Sequence, residues 1–242
     1  MNATARALVD AARELATDVD RLHFAPPVAY VYDPLVYARA AHEQFITRFV
    51  HGPRATLLVG MNPGPFGMAQ TGVPFGEVSS VRGWMGIDAK VGRPPREHPK
   101  RPIQGFACSK SEVSGARLWG AIAMRFPDAR DFFATHFVAN YCPLVFMDEG
   151  GKNLTPDKLP KAERAPLEAA CDAHLDRVVR ALAPAVVLGV GAWAAKCCAR
   201  VVGARARVAT LPHPSPASPA ANAGWAALAR RALKEQEIVP FL

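Results

Sequence analysis

The sequence predicts an α/β fold of three layers, with a four-stranded parallel sheet at the centre and helices on both faces. Three observations lead there. Four short apolar runs, Thr56 to Gly60, Phe137 to Ala139, Ala185 to Val190 and Arg207 to Leu211, have the length and bounding residues of buried strands. Segments with apolar residues at helical spacing lie between them, and alternating strand and helix build a parallel sheet whose faces are covered. The 242 residues suffice for one large core, so a single domain over 1–242 is expected, with an N-terminal helical extension over about residues 1–23.

Asn2 to Arg21 carries Leu8, Ala11, Ala12, Leu15 and Val19 at helical spacing. Pro26-Pro27 ends that unit, and Pro34 to Val50 predicts a second helix with Tyr37, Ala41, Phe45 and Phe49 on one stripe. After the first strand comes a loop, Gly60 to Glu77, with five glycines and three prolines in eighteen residues, which predicts neither helix nor sheet. Ser80 to Pro102 is basic, rich in Gly and Pro and weakly periodic, and reads as a mobile or partner-facing excursion. Gly115 to Phe126 predicts a helix with Leu118, Ile122 and Phe126 as its stripe. The strand around Phe137 to Ala139 runs straight into Asn140-Tyr141-Cys142-Pro143. Pro160 to Ala183 and Trp193 to Val202 are helices on either side of the third strand. The fourth strand ends in Leu211-Pro212-His213-Pro214-Ser215-Pro216, and a last helix covers about Pro219 to Glu235.

In an open parallel sheet the strand exits share one edge, where ligands bind, so Asn62, Asn140 and His213 should converge there. Each alone has a plainer reading as a turn residue or a satisfied histidine. A Gly/Pro loop can also be a simple turn or lid. Three polar side chains at successive strand exits argue for a small-molecule pocket with Phe75 near its far wall.

Composition narrows the classes. No stretch approaches the length of a membrane span, and Met1 to Asp20 carries six charged residues, so neither an anchor nor a secretory signal is expected. The five cysteines lack a Cys-x-x-Cys pair and read as reduced buried thiols, with no disulfide framework or metal spacing. The formal charge is +8, and from Arg177 to Lys234 nine Arg and Lys stand without one Asp or Glu. A second basic stretch runs from Arg82 to Arg101. One such cluster is ordinarily a solvated face; two suggest a polyanionic partner.

The block Gly60 to Glu77, the segment Ser111-Glu112-Val113-Ser114-Gly115-Ala116-Arg117, the turn Asn140-x-Cys142-Pro143-Leu144, Asn153-Leu154-Thr155-Pro156, and His213-Pro214-Ser215-Pro216 with Asn222-x-Gly224-Trp225 closely resemble the single-strand-selective monofunctional uracil-DNA glycosylases. The resemblance runs from about residue 24 to the C-terminus. It implies the uracil-DNA glycosylase fold and hydrolysis of the N-glycosidic bond of uracil in single- and double-stranded DNA, including 5-hydroxymethyluracil, 5-formyluracil and 5-hydroxyuracil, the first step of base excision repair. By that resemblance Asn62 holds the attacking water, His213 faces uracil O2, Asn140 reads the pyrimidine edge and Phe75 stacks on the flipped base. Met61, Gly64 and Met68 line the base pocket, with the Gly64 to Met68 backbone as a wall near C5. Pro214, Ser215, Pro216, Ala217, Ser218, Asn222, Ser114 and Arg117 meet DNA. In animal members an arginine follows the Ser-Pro of the wedge, whereas this chain has Ala217 and then Ser218. The resemblance implies no metal and no cofactor, with DNA as the partner. No membrane is expected, nothing in the sequence demands more than a monomer, and the reduced thiols suit an intracellular place: cytoplasm or nucleoid in a bacterium, nucleus in a eukaryote.

Three other readings compete. Gly189-Val190-Gly191-Ala192-Trp193-Ala194 formally satisfies a dinucleotide fingerprint, but the acid expected about twenty residues on is missing. Tight strand-to-helix packing explains those glycines. A non-catalytic DNA-binding protein would explain the charge but not the polar strand exits. A deaminated-purine glycosylase of the same superfamily is opposed by Asn62, Phe75 and Asn140, which suit a pyrimidine.

Overall fold

The computed structural model describes residues 1–242. Its elements are α1 (Ala3–Val19), β1 (Tyr30–Tyr32), α2 (Pro34–Tyr37), α3 (Arg39–Phe49), β2 (Thr56–Gly60), α4 (Met68–Thr71), α5 (Val113–Arg125), α6 (Ala129–Thr135), β3 (His136–Asn140), β4 (Val145–Met147), β5 (Asn153–Leu154), α7 (Lys161–Leu182), β6 (Val186–Val190), α8 (Ala192–Val202), β7 (Arg207–Leu211), α9 (Pro219–Asn222) and α10 (Trp225–Glu235). The central sheet is four-stranded and parallel, in the order β3-β2-β6-β7, between helices, as the sequence predicts. Leu57, Leu58, Val138, Val187 and Leu188 are fully buried. That is why these strands read as continuous apolar runs rather than as alternation.

The N-terminal helix is no appendage. Leu8, Val9, Ala12 and Leu15 of α1 belong to the main hydrophobic cluster, and α1 packs along α7. Asn2 fixes its start, its Oδ1 accepting from the Ala5 N–H at 2.9 Å while its Nδ2 donates to the Val50 carbonyl. The second predicted helix is broken at Ala38 into α2 and α3. Gly72 lies so close there that a Cβ on it would come 2.7 Å from the Ala38 carbonyl oxygen. The last predicted helix is likewise cut, at Gly224, whose φ of +135° only glycine adopts readily.

Two expectations need correction and a third is qualified. The Gly60 to Glu77 loop does contain a helical turn, α4, closed by Gly72 at φ +71°. Its one turn is too short to register as a period. Ser80 to Pro102 is neither mobile in character nor a free excursion: Val81, Met85, Ile87 and His98 are buried, and Trp84 Nε1 donates to the Phe126 carbonyl at 2.9 Å. Tyr32 hydroxyl accepts from the His98 N–H and donates to the Arg101 carbonyl. Single apolar anchors on an irregular backbone leave no periodicity to read. The basic run from Arg177 to Lys234, free of acids in sequence, is compensated in part by acids before it. Arg177 pairs with Glu14, Arg180 and Arg205 with Asp176, and Arg200 with Asp172 and Glu168, acids that precede the run in sequence.

A second sheet, antiparallel in the order β1-β4-β5, has strands of two or three residues and escapes pattern reading altogether. It carries Asn153 and Thr155 to the rim of the parallel sheet's strand exits.

Candidate active site

The parallel register sets the site. Gly60 pairs with Asn140 at the ends of β2 and β3, and Val190 with Leu211 at the ends of β6 and β7. Asn62, Asn140 and His213 therefore leave one edge, and all three line one cleft of about 410 Å³. Met61, Gly64, Met68, Phe75, Ser114, Ser215 and Pro216 line it too. Pro65 and Gly67, within the expected Gly64 to Met68 wall, line it as well, and Pro63, Glu112, Asn153 and Thr155, to which the sequence assigns no role, complete it. Glu112 is the notable addition, since a lone acid before a helix reads only as a helix-start residue.

Glycines make the room. A Cβ at Gly60 would lie 2.3 Å from Asn140 Oδ1 and 2.7 Å from the Phe75 ring, so both functional groups rest against bare backbone. At the other end of the sheet Gly191, at φ +91°, donates its N–H to the Leu211 carbonyl at 2.8 Å and lies beside the His213 ring. Gly189 lets α8 approach so closely that a Cβ would sit 2.2 Å from Ala195 Cα. The apparent dinucleotide glycines are packing residues.

Each side chain is oriented by a specific partner. Asn62 Nδ2 donates to the Leu144 carbonyl at 3.1 Å, which leaves its Oδ1 as a free acceptor. Asn140 Nδ2 meets only the Met68 thioether at 3.2 Å, a weak acceptor that a carbonyl oxygen of a ligand can replace. Phe75 holds φ +53°, unusual for an aromatic residue. Its carbonyl accepts from Trp119 Nε1 at 2.9 Å, and Gly115 leaves space beneath it. The Phe75 and His213 rings stand 6.2 Å apart, centroid to centroid, across the cleft.

His213 Nδ1 accepts the Ser215 N–H at 3.0 Å, so the ring's proton is on Nε2. Burial lowers the His213 pKa below the ordinary 6.5, so the ring is neutral at pH 7. The site thus offers a neutral N–H donor. Burial raises the Glu112 carboxyl above its ordinary value, opposed by the N–H groups of Phe66 and Ser114, which favour the carboxylate.

The turn after His213 overhangs the mouth. Pro214 is buried, Ser215 and Ser218 are half-buried, and Pro216 and Ala217 are exposed. Arg117 braces this turn, donating to the Pro214 carbonyl at 3.1 Å and to Asn222 Oδ1 at 2.8 Å, and Asn222 Nδ2 donates to the Pro216 carbonyl at 2.9 Å. Arg117, Asn222 and Ser218 stand outside the cleft, spent on the turn itself; Ser218 Oγ caps α9.

Comparison with known proteins gives the family. The family model of the uracil DNA glycosylase superfamily matches residues 52–235. The chain is 47% identical over 231 residues to the single-strand selective monofunctional uracil-DNA glycosylase of Rattus norvegicus, covering 94% of this chain and 83% of that one. The proteins of the same description from Mus musculus and Bos taurus are each 46% identical, over 94% of this chain and 83% and 85% of theirs. Among solved structures, Pedobacter heparinus SMUG2 superposes with a TM-score of 0.66 over 94% of this chain and 97% of that chain, at 17% identity, a likeness of fold.

Proposed function

The chain belongs to the uracil DNA glycosylase superfamily, in its single-strand-selective monofunctional family, and from that membership and the cleft we infer a DNA glycosylase that hydrolyses the N-glycosidic bond of uracil. The reading extends to 5-hydroxymethyluracil, 5-formyluracil and 5-hydroxyuracil, in single- and double-stranded DNA, as the opening step of base excision repair. It places the protein inside the cell as a monomer on DNA. The observation that carries the reading is the fixed Nε2–H tautomer of His213, set on the same edge as Asn62 and Asn140.

The chemistry follows from those groups. The C1′–N1 bond breaks with its electron pair leaving on the base, so negative charge develops on uracil and positive charge on the sugar. His213 Nε2–H, aimed at O2, stabilises the departing anion as a preorganised donor. A neutral donor suffices, because no proton need pass to the base for the bond to break. Water held by Asn62 Oδ1 then adds to C1′, and its proton goes to the uracil anion or to solvent. A carboxamide takes up no proton near neutrality, so Asn62 orients rather than deprotonates. The products are free uracil and an abasic site.

Base choice rests on Asn140. Its Nδ2–H can donate to O4 and its Oδ1 can accept from N3–H, whereas cytosine presents the reverse pattern. A mismatch leaves a buried donor and acceptor unpaired, at about 1–3 kcal/mol per group. Asn140→Asp is therefore expected to gain release of cytosine, and an unchanged base choice would count against the role. Extruding the base from a duplex costs a few kcal/mol, less for mispairs and single strands. The short neutral wedge at Ala217 favours the latter.

The test is to incubate the protein, with EDTA present, with single-stranded and duplex oligonucleotides carrying uracil, 5-hydroxymethyluracil, thymine or xanthine, and to score abasic sites. Release of the first two bases but not of thymine or xanthine, abolished in Asn62→Ala, is expected. DNA binding without base release would favour a non-catalytic binder, and preferential release of xanthine a purine-directed enzyme.

A further inference from the structure

Glu112 lines the cleft yet takes no part in the chemistry above. Its position is unusually constrained. A Cβ at Gly64 would lie 2.3 Å from Glu112 Oε2, and one at Gly67 would lie 2.9 Å from its Cγ. Both glycines thus leave open the space that the Glu112 side chain fills. Its carboxylate faces the N–H groups of Phe66, in the loop between those glycines, and of Ser114, in the first turn of α5. One side chain therefore ties the Gly64 to Gly67 wall to the start of α5.

The opposite flank of the wall is tied just as specifically. Gln70, in α4, is buried, and its Nε2 donates to the Pro65 carbonyl at 3.0 Å and the Pro102 carbonyl at 3.1 Å. Its Oε1 accepts from the Gln104 and Gly105 N–H groups at 2.8 and 3.1 Å. Between these two anchors the main chain bonds only to itself and to α4: Gly67 and Ala69 N–H donate to the Gly64 carbonyl, both at 3.3 Å, and Gln70 and Thr71 N–H donate to the Gly67 carbonyl at 2.8 and 3.1 Å. With Glu112 gone, the wall loses its contact with the start of α5 and is left to α4 and to the Arg101 and Lys110 cations on the Phe66 ring.

We propose that Glu112 is the positioning residue that sets the depth of the Gly64 to Met68 wall and so decides which C5 substituent the pocket admits. The inference rests on the uracil reading, in which that wall stands near C5 of the flipped base. An amide in place of the carboxylate removes the charge that the Phe66 and Ser114 N–H groups favour, and an aspartate falls one methylene short of Gly64. Either change lets the wall relax. Pockets discriminate single methyl-sized differences by about 10–200-fold, so a small shift of the wall is enough to alter selectivity.

The experiment measures kcat and KM for Glu112→Gln and Glu112→Asp on single-stranded oligonucleotides carrying uracil, 5-hydroxymethyluracil or thymine, together with amide hydrogen exchange at Phe66 and Gly67. The expected result is faster exchange at Phe66 and a fall of about tenfold or more in the uracil-to-thymine ratio of kcat/KM, within the range that one methyl group commands. Faster exchange with unchanged substrate ratios would overturn the specificity role and leave a structural brace only. Unchanged exchange and ratios in folded variants would overturn the proposal entirely. A wild-type protein that releases no base from any substrate would sink the uracil reading and this inference together, whereas an active wild type with unaltered variants sinks this inference alone.

Discussion

The floor of the cleft and the turn that overhangs it are built on different principles. On the floor, Asn62, Asn140 and His213 stand at or within two residues of parallel strand ends, and bare glycine backbone at Gly60 leaves the room that Asn140 and Phe75 occupy. The overhanging turn, Pro214 to Ser218, has no sheet under it and is held by side chains reaching across: Arg117 to the Pro214 carbonyl and Asn222 to the Pro216 carbonyl. The floor cannot move without disturbing strand pairing. The turn can change its exposed residues, Pro216 and Ala217, at little cost to the fold. On the proposed function, chemistry is therefore placed where the backbone is stiffest, and the proposed wedge where substitution is tolerated.

The sharpest way to break this contrast is at the floor. His213→Ala removes the preorganised donor, and base release should fall by roughly 10²–10³ with secondary structure intact, as read by single-turnover kinetics and circular dichroism. The same residue sets the acid limb. Because burial lowers its pKa from 6.5, the ring stays neutral above that value and the rate should be flat there. Below it, protonation puts an N–H on Nδ1 against the Ser215 N–H, turns the ring from its seat and slows release. A pH–rate profile of His213→Gln should lack that limb.

Gly60→Ala tests the backing backbone. Its new Cβ would meet Asn140 Oδ1 at 2.3 Å, so Asn140 and Phe75 must shift together. A misplacement on the order of 1 Å costs about 10²-fold, which sets the expected loss of kcat/KM for uracil. If activity survives within a few-fold, the close approach carries less than argued. The smallest effect belongs to the turn: Ala217→Arg should raise release from duplex DNA several-fold and leave single-stranded substrate nearly unchanged, the strand ratio being the measurement. A change in both alike would place Ala217 in the chemistry rather than in the wedge.

Much of this was legible along the chain. The four strands read as apolar runs, and the rule that parallel strands exit on one edge brings Asn62, Asn140 and His213 together from sequence alone. Other features left no local trace. α6, α4 and the three-stranded antiparallel sheet are too short to show a period. Val81, Met85, Ile87 and His98 anchor an irregular segment one by one, so their burial is invisible to pattern. Four of the nine cations from Arg177 to Lys234, namely Arg177, Arg180, Arg200 and Arg205, pair with Glu14, Glu168, Asp172 and Asp176, acids of α1 and of the part of α7 that precedes the run, so a window on the run alone does not show them.

The sequence by itself determined the parallel sheet, the longer helices and the convergence of three polar side chains, because these depend on local period and on the topology that short connections enforce. Only the tertiary structure decided the orientation of Asn62 by the Leu144 carbonyl, the bracing of the wedge turn by Arg117, and the seating of Glu112 in the space left by Gly64 and Gly67. Those depend on groups that lie tens of residues apart along the chain and meet only when the core closes.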